Sequence, residues 1–290
     1  RNGGGPGGRG SVASLRDMAP FSVSLMLTDL ISTFYMKLPQ FFLGKLYPTA
    51  TLGAFDQAVK LKDMPVTAAT QSVQSVTFPA LSEVRGDAPK FAESYRQVVL
   101  ITAYVMFPAM LGLSAVAHDL FALLLSEKWM PTVPYFEVVC LAGLFYPVGM
   151  ICYNVLKVMS RGPLIVRLEV VKKLLMTVVF AVTIPHSVMA VVWGLVVIAF
   201  GEMAVNFLAT RRFTRFTTRR FLRTLLPVAL VSGTMYLLVR LTACAVPGHL
   251  LLRLAAQLLV GAAAYVGLSV LFRLEAFGLL CDLMKKQAAR

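Results

Sequence analysis

Few side chains in this sequence are equipped for chemistry, and most of those lie inside long apolar runs. Asp29 and Lys37 share the first run, Gln71 and Gln74 sit three apart in the second, Asn154 lies in the fourth, and Glu202 and Asn206 lie in the sixth. A lysine facing a water-filled cavity between helices can hold an anion through charge-assisted hydrogen bonds. Lys37, about two-thirds along its run, either does this or snorkels to the nearer interface. Asp29 either pairs with a cation of another helix, ligates a coupling ion, or is a protonated, hydrogen-bonded acid. Gln71 and Gln74, with Thr67 and Thr70 nearby, make a polar stripe that faces another helix or an aqueous cavity. Asn154 and Asn206 suit hydrogen bonds between helices. Glu202 is harder to explain that way, although the basic stretch that follows its run is close.

Acid–base catalysis has little to work with. His118-Asp119 and Glu127 lie in one short loop, and His186 and His249 are isolated turn residues, so no catalytic residue is assigned and an embedded enzyme is the least favoured class. Cys140, Cys152, Cys244 and Cys281 show no CxxC or Cys/His ligand spacing. Free thiols follow, with no metal, no cofactor and no disulfide framework.

These residues need a membrane-spanning scaffold. Of 290 residues, 58% are hydrophobic and only 14% charged, against about 25% charged in a soluble domain. Apolar runs fall at roughly 19–43, 62–81, 97–117, 133–157, 164–184, 187–209, 224–243 and 250–272. Each is close to the ~20 residues needed to cross a hydrocarbon core of about 30 Å. The net charge of +14 is divided among loops, most densely as Arg211, Arg212, Arg215, Arg219, Arg220 and Arg223. Basic residues mark the cytoplasmic loops of a membrane protein. An even number of spans with both termini inside puts every basic cluster on that side, which makes the charge a topology signal and not a nucleic-acid patch. Backbone in lipid must satisfy its own hydrogen bonds, so the fold class is all-α: a polytopic bundle of about eight helices. Ile184 to Ser187 leaves room only for a tight hairpin, and Phe121 to Leu125 followed by Trp129 reads as a short interfacial helix.

Three segments resemble the Wzx-type polysaccharide and O-antigen flippases of the multidrug/oligosaccharidyl-lipid/polysaccharide exporter superfamily. Leu52 to Leu61 (LGAFDQAVKL), followed by Met64-Pro65, is similar to the family's LGxYxxAxxLxxLP. Val76 to Ser82 (VTFPALS) is similar to xxFPxLS, and Leu124 to Pro134 (LLSEKWMPTVP) to LLxGxxWxxAxP. Order and spacing agree over roughly residues 15–210.

The resemblance implies the second six-helix lobe of a two-lobed transporter plus two extra helices. The expected layout is a Gly-rich linker at 1–14, a six-helix bundle at 15–210, a basic cytoplasmic loop at 211–223, two additional transmembrane helices at 224–273 and a cytoplasmic tail at 274–290. A chain opening inside a linker is expected to be the remainder of something longer. The implied function is translocation of a lipid-linked oligosaccharide, an undecaprenyl-pyrophosphate glycan, across a bacterial inner membrane. Its partners would be that lipid, the bilayer and the missing N-terminal lobe, without nucleic acid. Asp29, Lys37, Gln71, Gln74, Asn154 and Glu202 are then candidates for the substrate path. A multidrug or lipid II type exporter of the same fold, or a non-transporting remnant, is the alternative.

Overall fold

A computed structural model describes Thr33, Tyr35 and residues 37–280, apart from Ser160 and residues 246–248. Asp29, the 1–14 linker and the last part of the tail, from Cys281 on, lie outside the described residues. The chain divides into two units, Arg1–Leu46 and Tyr47–Arg290. In the first, residues 37–46 form a helix (α1) that continues the first expected span.

The second unit is built from α2 (Thr49–Glu83), α3 (Ala88–Ala115), α4 (Ala117–Leu124), a 3-10 turn (Glu127–Thr132), α5 (Val133–Val158), α6 (Gly162–Thr183), α7 (Val188–Thr210), α8 (Thr218–Ala245) and α9 (Leu250–Leu271). All regular structure among the described residues is helical, and each expected span from the second onward coincides with one long helix. The helix starts carry their own signals. Asp87 accepts from the Lys90 backbone N–H at 3.1 Å ahead of α3, and Ser187 accepts from Ala190 N–H at 3.0 Å ahead of α7. That Lys90 N–H, with the Lys90 side chain, holds the Asp87 carboxyl below its usual pKa.

The second span departs from expectation in length. It was read as 62–81, but α2 runs for 35 residues, about 50 Å at 1.5 Å per residue. Lys60, Lys62 and Asp63 stand at the edge of the apolar run without interrupting the helix, because straight-chain lysines lose little rotamer freedom in a helix. Pro65, Pro79, Pro108 and Pro147 all lie inside continuous helices, as does Pro227. The interfacial helix is α4, starting four residues earlier than Phe121, and the 3-10 turn carries Trp129 with the Lys128 ammonium 5.4 Å from its ring.

Among the described residues, α3, α5 with the turn before it, α7, α8 and α9 are long and apolar enough to cross a membrane. The chain is a multi-pass membrane protein. α2 and α6 are long enough but more polar, α2 through its Gln, Thr and Ser residues and α6 through Arg167, Glu169, Lys172 and Lys173.

α5 is the hub, packed against α2, α3 and α7. Its seam with α7 depends on Gly149: a Cβ there would stand 3.2 Å from the Met203 Cα. Asn206 donates its side-chain N–H to the Gly149 carbonyl across that seam at 3.2 Å, the interhelical bond its position suggested. Buried Tyr95 of α3 donates its hydroxyl to Cys152 Sγ (3.0 Å) and meets Thr210 Oγ1 (3.2 Å), so three helices converge on one ring. Cys140, Cys152 and Cys244 are free thiols, and Cys281 is outside the described residues.

α8 and α9 pack together and onto α3. Midway, Tyr104 donates to Ser269 Oγ at 2.9 Å and Tyr265 donates to the Tyr104 carbonyl at 2.7 Å. The loop before α8 is anchored, not loose. Phe216 is fully buried between its exposed arginines and touches Tyr95, Phe207 and Phe221. Arg161 stacks over Phe213 at 4.4 Å, which joins this loop to the one between α5 and α6.

Candidate functional site

The most concentrated ionisable chemistry within the apolar bundle is shared by α2, α5, α6 and α7. On α6, Lys172 is buried and donates to Glu169 at 2.5 Å, one helical turn away. Its ammonium also stands 4.9 Å from the ring centroid of Tyr153 on α5, and Lys157 places a second ammonium 4.6 Å from the same ring. Glu202 of α7, about two-thirds of the way along a largely apolar helix, is within electrostatic reach of Lys172, Lys173 and Glu169. Tyr146, two turns before Tyr153 on α5, is within reach of both Glu202 and Asp63 of α2. Asp63 pairs with its neighbour Lys62. Polar groups of four helices therefore lie within electrostatic reach of one another, from Asp63 and Tyr146 through Glu202 to Lys172, with Tyr153 and Lys157 beside it.

Along α2, Lys60, Thr67, Gln71 and Ser75 follow at spacings of seven, four and four and are exposed, with Met64 between the first two and Gln74 half-buried beside them. A helix face in lipid would expose leucines, as α8 does with Leu222, Leu226 and Leu230. Glutamine and threonine on that face call for water or for polar groups of another protein segment.

The sequence candidates separate on this geometry. Glu202 joins the series, and Gln71 and Gln74 lie on the α2 stripe that continues from Asp63. Asn154 is buried in α5, next to Tyr153 in sequence. Lys37 is exposed on α1, in the other unit, and Asp29 is outside the described residues. What sequence reading missed is the part of α6 and α5 that supplies cations and rings. In the sequence Lys172 and Lys173 stand close behind the basic residues Arg161 and Arg167, and Tyr146 and Tyr153 belong to no motif. The Tyr153/Lys157 spacing of four and the Glu169/Lys172 spacing of three were available signals for helical pairs.

A second polar cluster, also unforeseen, lies at the opposite end of the molecule's span from the basic loop. Asp119 of α4 is buried and accepts from Arg253 Nε at 2.8 Å and Gln257 Nε2 at 2.9 Å, both on α9, with a further contact from the Arg253 guanidinium. Burial alone would raise the cost of charging Asp119. Bonds from Arg253, His118 and Gln257 outweigh that and hold its carboxyl below the usual range. Arg240 of α8 donates to Glu137 of α5 at 2.7 Å. These contacts fasten helices to one another and point into no open polar face.

The polysaccharide biosynthesis protein family matches residues 5–134. An uncharacterised membrane protein from the cps region of Klebsiella pneumoniae is 24% identical over 209 residues, 71% of this chain and 42% of that protein. The lipopolysaccharide biosynthesis protein WzxC of Escherichia coli K12 is 25% identical over 144 residues, half of this chain and 29% of that protein. The teichuronic acid biosynthesis protein TuaB of Bacillus subtilis is 22% identical over 130 residues, 45% of this chain and 27% of that protein. Among solved structures, an inward closed conformation of the lipid II flippase MurJ superposes with a TM-score of 0.70 at 14% identity, over 89% of this chain and 55% of that one.

The chain is thus a helical membrane protein with the fold of a lipid flippase. In sequence it is similar to polysaccharide biosynthesis proteins, WzxC among them, over a region that includes its three motifs. It spans about half the length, or less, of the relatives it matches.

Proposed function

We propose that the chain is the second lobe, with its two additional helices, of a transporter that moves a lipid-linked oligosaccharide across the bacterial inner membrane for surface polysaccharide assembly. The role is transport, not catalysis. The observation that carries the reading is the polar series across α2, α5, α6 and α7, set in a bundle whose other outer faces are leucine and valine. In a two-lobed transporter of alternating access the lobes enclose a central cavity. The polar face supplies one wall, a first lobe supplies the other, and Lys37, Gln71, Gln74, Asn154 and Glu202 serve the path beside Lys172 and Lys157. Clustered ammonium groups suit the pyrophosphate of an undecaprenyl-pyrophosphate glycan. Both termini and the Arg211–Arg223 loop are cytoplasmic in this arrangement, which reporter fusions at Arg290 and within the loop would check.

The test uses the protein with both lobes joined. Lys37→Gln and Lys172→Gln, each compared with its Lys→Arg counterpart at equal expression, are assayed for surface glycan. Export falls in both Gln variants and is largely kept in the Arg variants. Wild-type export by Lys37→Gln would mean that Lys37 only snorkels, and wild-type export by both would remove the path assignment.

A further inference from the structure

At the end of the second unit that carries the basic loop, a cavity of about 320 Å³ opens between α3, α8 and the segment after α9. Its rim is Arg96, Arg220, Arg223 and Glu275, and its floor includes Leu100 and Val228. None of these residues belongs to the polar face of α2, α5, α6 and α7.

The charges on this rim do not balance. Arg96 donates to both Glu93 and Glu275, and Arg220 donates to Glu93 at 2.6 Å. Arg223 is exposed and has no ion pair among the described residues. Three guanidinium groups meet two carboxylates, and one positive charge remains. Because Arg96 is already shared between two acids, the free capacity lies on the α8 side. From Arg220 to Val228 the helix rises two turns, about 12 Å, from charged to apolar surroundings. Alongside, α8 exposes Leu222, Leu226 and Leu230. An occupant of matching chemistry has a singly charged head and an apolar body that begins within two helical turns of it.

We propose that this cavity binds the phosphate of an anionic phospholipid, with the guanidinium groups of Arg223 and Arg220 on the phosphodiester and the first acyl segments along the outer face of α8. Basic pockets between membrane helices are suited to such headgroups, each arginine near the surface contributing about a fivefold factor in affinity. Glu275 acts against binding, since it competes for the same guanidinium cluster. A free phosphate ion would satisfy the rim but gain nothing from the floor.

The purified chain in neutral detergent is titrated with phosphatidylglycerol, with phosphatidylcholine and with inorganic phosphate, reading the thermal unfolding midpoint and quenching by a fluorescent phosphatidylglycerol. Phosphatidylglycerol binds saturably and phosphatidylcholine does not. Arg223→Gln weakens binding about fivefold and Arg220→Gln with Arg223→Gln further, whereas Arg211→Gln with Arg212→Gln, the same loss of charge from the same loop outside the cavity, changes it less than twofold. Glu275→Gln strengthens binding, an opposite sign that misfolding does not produce. Equal weakening by the two arginine pairs, or no gain from Glu275→Gln, would overturn the site as diffuse charge. Inorganic phosphate competing as well as the lipid would overturn the lipid as its occupant.

Discussion

The second unit contains two kinds of polar chemistry, and they behave oppositely. Away from the arginine-rich start of α8, Arg240 of α8, Arg253 of α9 and Glu275 in the segment after them are each paired. Asp119 is met by Arg253 and Gln257, Glu137 by Arg240, Glu275 by Arg96, and the Tyr104–Ser269–Tyr265 bonds lie between. On the face shared by α2, α5, α6 and α7 several polar groups stand exposed: Lys157 brings a second ammonium to the tyrosine ring that Lys172 already meets, and Gln71, Thr67 and Ser75 face outward. Closed pairs hold helices in place, whereas open ones are available to something that enters. Beyond the arginine-rich cavity at the start of α8, the pair of additional helices is built as a fixed support, and the polar face as a working surface.

Mutations should separate the two. Arg253→Met leaves Asp119 buried without its main partner and should destabilise the chain by about 3 kcal/mol, the low end for broken buried pairs because Arg253 is itself partly exposed. Unfolding in detergent measures this, and a loss under about 0.5 kcal/mol would mean that the clamp does not hold α9. Gly149→Val forces apart the α5–α7 seam and should cost about 1–3 kcal/mol by the same assay.

Acid gives a third cut. The folded-state pKa of Asp119 is depressed, so its stabilisation is complete above the unfolded value near 3.8 and is lost as pH falls through the folded one. Wild-type stability should therefore drop below about pH 4 by a component that Asp119→Asn lacks. Tyr265→Phe removes one buried bond and should cost about 0.6–1 kcal/mol. Gln71→Leu, on the polar stripe, should change stability least, within about 0.5 kcal/mol, yet lower export in the two-lobed transporter. If Gln71→Leu destabilised as much as Arg253→Met, the distinction between support and working surface would fail.

Much of this architecture was legible because span position depends on local hydropathy, and each helix from α2 onward falls where its apolar run does. The full length of α2 was not, since Lys60, Lys62 and Asp63 lower the local hydropathy and leave the apolar run to begin only at 62. Glu202 and the Gln71/Gln74 stripe could be read because a polar residue in an apolar run is conspicuous by itself. Asp119 with Arg253 could not, because the partners are 134 residues apart and each looks like an ordinary end-of-helix charge. Lys172 was hidden differently: its closeness to Tyr153 and Glu202 arises only when three helices pack.

The buried Phe216 has a consequence for how the arginine-rich loop meets a protease. Six exposed arginines make the stretch an obvious tryptic target by composition. Cleavage requires several residues of extended chain in the protease cleft, and extending this loop means withdrawing Phe216 from Tyr95, Phe207 and Phe221 and Phe213 from Arg161. Digestion at Arg215 then proceeds only through local opening, so its rate reports how often the ring leaves its site. Phe216→Ala would turn a resistant basic surface into a rapidly nicked one without altering a single charge.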